Sequence, residues 1–202
     1  MMLPRRFVLA APVLLLPPAF RLESSGNGRV ALRHDGMEGA VTLPAERARV
    51  AAVLPIAGSR LAAVAFGADA GRDVLAVVGV EDGGLRVVGL EAWAWRGPGG
   101  AMLATRVSAT GDGTRVRLER TAALPRPGLP KSWENWADLL SWRDHAPLAD
   151  TPAHAPVGGT WQARLAELRA RSIAVLADRP GTIDAAVLER VGLTGRIWPE
   201  GQ

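Results

Sequence analysis

The sequence contains no cysteine and no tyrosine, a single lysine (Lys131), three histidines and three phenylalanines. Without cysteine there is no disulfide, no thiolate nucleophile, no thiolate metal ligand and no acylation site for a lipoprotein. Serine catalysis lacks a Gly-x-Ser-x-Gly elbow: Ser59 lies in an Ala-Gly-Ser-Arg turn and Ser108 in an expected strand. Phosphate cradles are missing as well, since the stretches GPGGA and GDGT read as hairpin turns without the following helix and lysine. The same shortages explain the isoelectric point of 11.0, because almost nothing titrates between histidine and arginine and a small positive excess carries the value far upward. The net charge is +4, and Arg5 and Arg6 are the only charges in positions 1–20, so the rest of the chain carries +2. Its arginines are scattered, which is not the dense basic footprint that nucleic acid requires.

Long apolar runs are also scarce. The run 7–20 has 14 residues and is interrupted by Pro12, Pro17 and Pro18, too short and too broken to span a bilayer as a helix. With Arg5-Arg6 in front of it, the segment reads as an export signal, and the adjacent arginines followed by Phe-Val-Leu-Ala-Ala resemble a bacterial twin-arginine signal. Residues 1–23 are assigned to it, with the mature start expected between Ala19 and Ser25. The expected destination is periplasmic or secreted, with no stable transmembrane segment in the mature form. Residues 24–202 are long enough to bury a core of their own and are expected to form one domain.

What the chain has in quantity is alternation of short apolar segments with turn chemistry. Strands are expected near 28–34, 38–43, 49–56, 60–66, 73–80, 84–95, 101–109 and 114–121, separated by HDGM, AGS, GADAGR, EDGG, RGPGG and TGDG. Asp-Gly and Gly-Gly supply the positive backbone angles of tight hairpins, so the simplest topology is an antiparallel meander of about eight strands, closed as an up-and-down barrel or folded as a sandwich. The segment DVLAVVGV is apolar on both faces and suits a central strand, whereas the alanine-rich pieces 48–53 and 61–65 are weak strand formers with some helical character.

Beyond Leu124 the stretch PRPGLP ends the sheet region, and 125–202 is expected to be helical, with two to three helices packing on the sheet. Ser132 would cap a first helix whose face carries Trp133, Trp136 and Leu140. A second begins at Thr160, with Trp161, Leu165, Leu168, Val175 and Leu176 in one stripe and Glu167 and Arg171 paired four residues apart. Thr182 would cap a short last helix closed by Gly192. The fold class is therefore α+β: meander first (28–124), helices after. In outline the layout resembles the lipocalin-like barrels. No Gly-x-Trp stands near the first strand, and an architectural likeness implies no function.

The remaining abundance is tryptophan, seven residues. Two-residue spacing puts Glu91, Trp93 and Trp95 on one face of an extended strand, and Trp133, Trp136 and Trp142 are carried by the expected helical part. Two uses follow: indoles that cement the sheet to the helices, or a Trp-lined seam that binds a small apolar ligand or an envelope protein, with Glu91 supplying one polar contact. The binding residues expected are Glu91, Trp93, Trp95, Trp133, Trp136 and Trp142, with no cofactor. The alternative is a metal-assisted hydrolase using the loop that places Asp144, His145, Asp150 and His154 within eleven residues.

Overall fold

The computed structural model describes residues 20–97, 100–124, 132–141, 149–151 and 160–194. A three-stranded sheet holds β1 (Phe20–Gly26), β2 (Arg29–His34) and β3 (Val41–Pro44). An eight-stranded sheet follows, built from β4 (Arg49–Ile56), β5 (Ser59–Asp69), β6 (Arg72–Glu81), β7 (Gly84–Arg96), β8 (Met102–Ala109), β9 (Arg115–Leu124), β10 (Ser132–Ser141) and β11 (Ala149–Thr151). Its spatial order is the chain order, so every strand lies antiparallel to its sequence neighbour and the meander is real. Helices α1 (Thr160–Leu176) and α2 (Ala185–Val191) come last.

All eight strands expected between 28 and 124 form, as β2 to β9, and the alanine-rich pieces are strands. Two further strands follow and one precedes, and neither sheet closes into a barrel. Between the sheets, Pro44 has no N–H for a ladder and Arg47 turns the chain at φ 52, so β3 and β4 separate. The free edge of β3 is taken by the α1–α2 linker: Thr42 N–H donates to Gly181 O at 3.0 Å and Ile183 N–H to Thr42 O at 2.8 Å. Thr182 thus pairs with Thr42 and caps nothing. Asp184 caps α2 instead, accepting from Val187 N–H at 3.0 Å, and Gly192 closes the helix at φ 86.

The main correction lies at 132–141, expected as a helix and found as β10, paired residue for residue with β9. The spacing of Trp133, Trp136 and Leu140 suits a helical face, but a ten-residue ladder on a strand already in place outweighs so short a helix. On a strand Trp133 and Trp136 point to opposite faces. The helical part therefore begins at Thr160 and has two helices among the described residues. There the sequence pattern holds: Trp161, Leu165, Leu168, Val175 and Leu176 are all buried, and Arg171 pairs with Glu167.

Two hydrophobic clusters result. The first gathers the small sheet, one face of β5 to β7, and the helices, including Leu32, Leu43, Phe66, Leu90, Trp161 and Leu188. The second lies against the opposite face of β5 to β7, with Leu61, Leu75 and Val77 meeting Val107, Leu118 and Leu140 from β8, β9 and β10. Burial on both faces is what the doubly apolar segment in β6 requires. The geometry comes from a split. β7 pairs with β8 only where Ala94, Trp95 and Arg96 meet Ala104, Leu103 and Met102. Past that joint β8 leaves its neighbour, and the face carrying Leu103 and Ala122 on the first cluster carries Val107, Val116 and Leu118 on the second. The β4–β5 turn then meets the β8–β9 turn, where Ala57 N–H donates to Gly113 O at 2.8 Å.

Candidate functional site

A strand that loses its partner in a protein interior leaves backbone groups to be satisfied. Along the split edge of β7, Leu90 N–H donates to Ser172 Oγ of α1 at 2.9 Å. Ala92 C=O accepts from Arg120 Nη1 at 2.8 Å and from Thr105 Oγ1 at 3.4 Å. A helix hydroxyl and a guanidinium thus stand in for the missing strand.

Arg120 is the centre of a buried quartet. Its Nη2 donates to Glu91 Oε2 at 2.6 Å, its Nε to Asp138 Oδ2 at 2.8 Å, and its Nη1 also to Thr105 Oγ1 at 3.0 Å. Arg169 approaches from α1, with Nε on Glu91 Oε1 at 2.6 Å and Nη2 on Asp138 Oδ2 at 2.9 Å. Glu91, Arg120 and Arg169 are buried, and with Ser172 they are the buried polar residues of the described chain. Asp138, with a fifth of its side chain exposed, is the quartet's window to solvent. Burial alone would push the Asp138 carboxyl upward, but the two guanidiniums and their hydrogen bonds hold it below the ordinary aspartate value. Two positive and two negative groups cancel, and forked guanidiniums satisfy the carboxylate oxygens, which is what makes such burial tolerable. Guanidiniums do not give up protons, so their charges stay fixed and the arrangement orders four elements.

The residues singled out in the sequence separate. Glu91 faces Arg120 and Arg169 inside the protein. Trp93 is the extra residue of a bulge, since Asp73 pairs with Ala94 and Val74 with Ala92. That bulge breaks the two-residue alternation, sending Trp93 to the second cluster and Trp95 to the first. Trp95 meets the fully buried Trp161 edge to face, centroids 5.4 Å apart, so these two indoles fill the seam between sheet and helix. Trp136 packs on the same cluster. Trp133 is different: 54% of its surface is exposed. Trp142, Asp144, His145 and His154 lie outside the described residues, and of the expected metal loop only the backbone of Asp150, in β11, is described. Among the described residues no cluster of histidine and carboxylate side chains has the makings of a metal site.

Sequence reasoning missed Arg120, Asp138, Arg169 and Ser172, although a signal was there. Arg120 shares parity with the inward Val116 and Leu118, Asp138 with Leu140, and Arg169 interrupts the apolar stripe of α1 four residues after Leu165. Charges on inward positions of three separate elements point to one another.

The face that carries Trp133 is the side of β8 to β10 turned away from the clusters. Pairing aligns Arg96, Met102, Ala123 and Trp133 in one row across four strands, with Ala94, Ala104, Thr121 and Asn135 in the next. Beside the row a shallow cleft of about 430 Å³ is lined by Arg47, Asp73, Ala94, Arg96, Met102 and Ala104. Arg47 is riveted in place, with Nε on Asp73 Oδ1 at 2.8 Å and Nη2 on Asp69 O at 2.8 Å. No protein family, curated protein or solved structure matches the chain.

Proposed function

We propose that the chain is an exported, non-enzymatic binding domain that holds an envelope protein partner on the outward face of β8 to β10, with Trp133 as the anchor. The single observation behind this reading is the exposure of the Trp133 indole, 54%, in a protein that buries Trp161 completely and packs Trp95 and Trp136 on its core. An indole left outside covers a large apolar area and has few torsions to freeze, which is why tryptophan is favoured at the centres of protein interfaces. Filling of the seam by Trp95 and Trp161 favours a protein on this outer face over a small apolar ligand between sheet and helix.

The test places a photo-crosslinking benzoylphenylalanine at position 133 in cells that make and export the protein. A discrete protein adduct is expected at 133, together with its absence when the same group replaces the exposed Val53 on β4. Equal labelling at the two positions, or none at 133, overturns the reading. With the photo-crosslinker moved to the exposed Asn135 on the same face, Trp133→Ser is expected to lose the adduct while its urea midpoint shows the variant still folded, so that the loss reports binding and not folding.

A further inference from the structure

The face that carries Trp133 is charged as well as apolar, and among the described residues its charges are not balanced. Arg106 on β8 and Arg117 on β9 share one acid, Glu119, at 4.0 and 3.0 Å. Arg106 is the most open of the three, with 83% of its side chain exposed. Arg96, at the far end of the Trp133 row, is exposed and makes no ion pair among the described residues. Arg96, Arg106 and Arg117, against Glu119, thus share one face of the sheet with an exposed indole, and Met102 and the buried Ala123 stand in the row between Arg96 and Trp133. Arginine and tryptophan are the residue types that carry binding energy at interfaces, and uncompensated cations select the sign of what docks.

From this placement we infer that the face takes an extended, acidic segment of a protein partner, lying across the strands with a carboxylate at Arg96 and an apolar side chain on Trp133. The inference rests on the reading of Trp133 as a partner contact and adds the partner's chemistry. Geometry sets the register. Arg96 and Trp133 are three strand spacings apart, roughly 14 Å at about 4.8 Å each. An extended peptide advances about 3.3 Å per residue, so the acid and the apolar anchor of the partner stand about four positions apart and project from the same side of the segment. The cleft beside Arg96 supplies room for the acid, and the fixed Arg47–Asp73 pair forms its far wall.

The test probes the full chain against an array of short peptides graded in net charge, each with one leucine and one charged residue at varied separation. Acidic peptides with about four-residue separation are expected to bind best. Arg96→Glu is expected to weaken them by about tenfold, Arg96→Lys to weaken them less, and high salt to shrink the difference between acidic and neutral peptides. Should Arg96→Glu disturb the fold, Arg106→Glu reverses a charge on the same face at a position 83% exposed and is expected to weaken acidic peptides in the same direction. Trp133-dependent binding without preference for acidic peptides sinks the inference and leaves the binding reading standing; binding unaffected by Trp133→Ser sinks both. Vesicles of phosphatidylcholine with about 30% phosphatidylglycerol are run in parallel, and tighter, Arg96-dependent adsorption to them than to any peptide overturns the proposal in favour of an anionic lipid surface.

Discussion

Replacing Glu91 by glutamine tests the buried quartet most directly. The substitution keeps the shape of the side chain and removes its charge, leaving Asp138 as the quartet's remaining carboxylate beside Arg120 and Arg169. An uncompensated buried charge costs about 3–5 kcal/mol. For a domain of this size that corresponds to a drop in Tm of about 2–4 °C per kcal/mol. Urea unfolding followed by tryptophan fluorescence reads the loss as a lower midpoint at unchanged slope. The double variant Glu91→Leu with Arg169→Leu removes one charge of each sign and leaves Arg120 with Asp138 at 2.8 Å. Its cost is then dominated by the donors of Arg120 left without Glu91, about 1–3 kcal/mol, so the double variant is expected to be more stable than Glu91→Gln alone. The reasoning is refuted if Glu91→Gln costs less than about 1 kcal/mol, or if the double variant is the weaker of the two. The same quartet fixes a pH dependence. Because the folded Asp138 carboxyl sits below its ordinary value of 3.8, its stabilisation is present above that value and is lost as pH falls through the folded one. Asp138→Asn is therefore expected to lower stability at neutral pH and to flatten the acid limb of the stability curve.

Three further outcomes are expected. A chain that begins at Ser24 loses Phe20, which is buried and edge-on to His34 at 4.7 Å, and with it half of β1; it should unfold at lower urea than a chain that begins at Phe20, and equal midpoints would show that β1 contributes nothing. Gly192→Ala strains a left-handed cap at φ 86 and brings a Cβ within 3.1 Å of Leu168 Cδ2, a cost of about 1 kcal/mol or more, read by the same unfolding assay. The Asp112 carboxyl, held at about 2 by the Thr110 hydroxyl and then by Thr114, should titrate there by NMR and move up toward 3.8 in Thr110→Val; an unmoved titration would refute the hydrogen bond as its cause.

The strands from β2 to β9 were legible because each carries its own alternation and ends in residues that turn easily; β4 begins and ends where the pattern of RVAAVLPI does. Helix α1 was legible for the same reason, its stripe being long enough to repeat. The tenth strand was not, because the spacing of Trp133, Trp136 and Leu140 fits either period and only the ladder offered by β9 decided between them. The candidate site divides along the same line. That the tryptophans matter could be read from the sequence, but which of them lies outside could not. A single bulged residue at Trp93 reversed the facing of everything after it. Glu91 was visible as an acid among indoles, yet its role depended on Arg120 and Arg169, separated from it by 29 and 78 positions. Local pattern reports which face of an element is apolar, and that much the sequence determined unaided. Which elements meet, where a strand parts from its neighbour and which charges are thereby buried together depend on pairings between distant segments, and these only the folded chain decides.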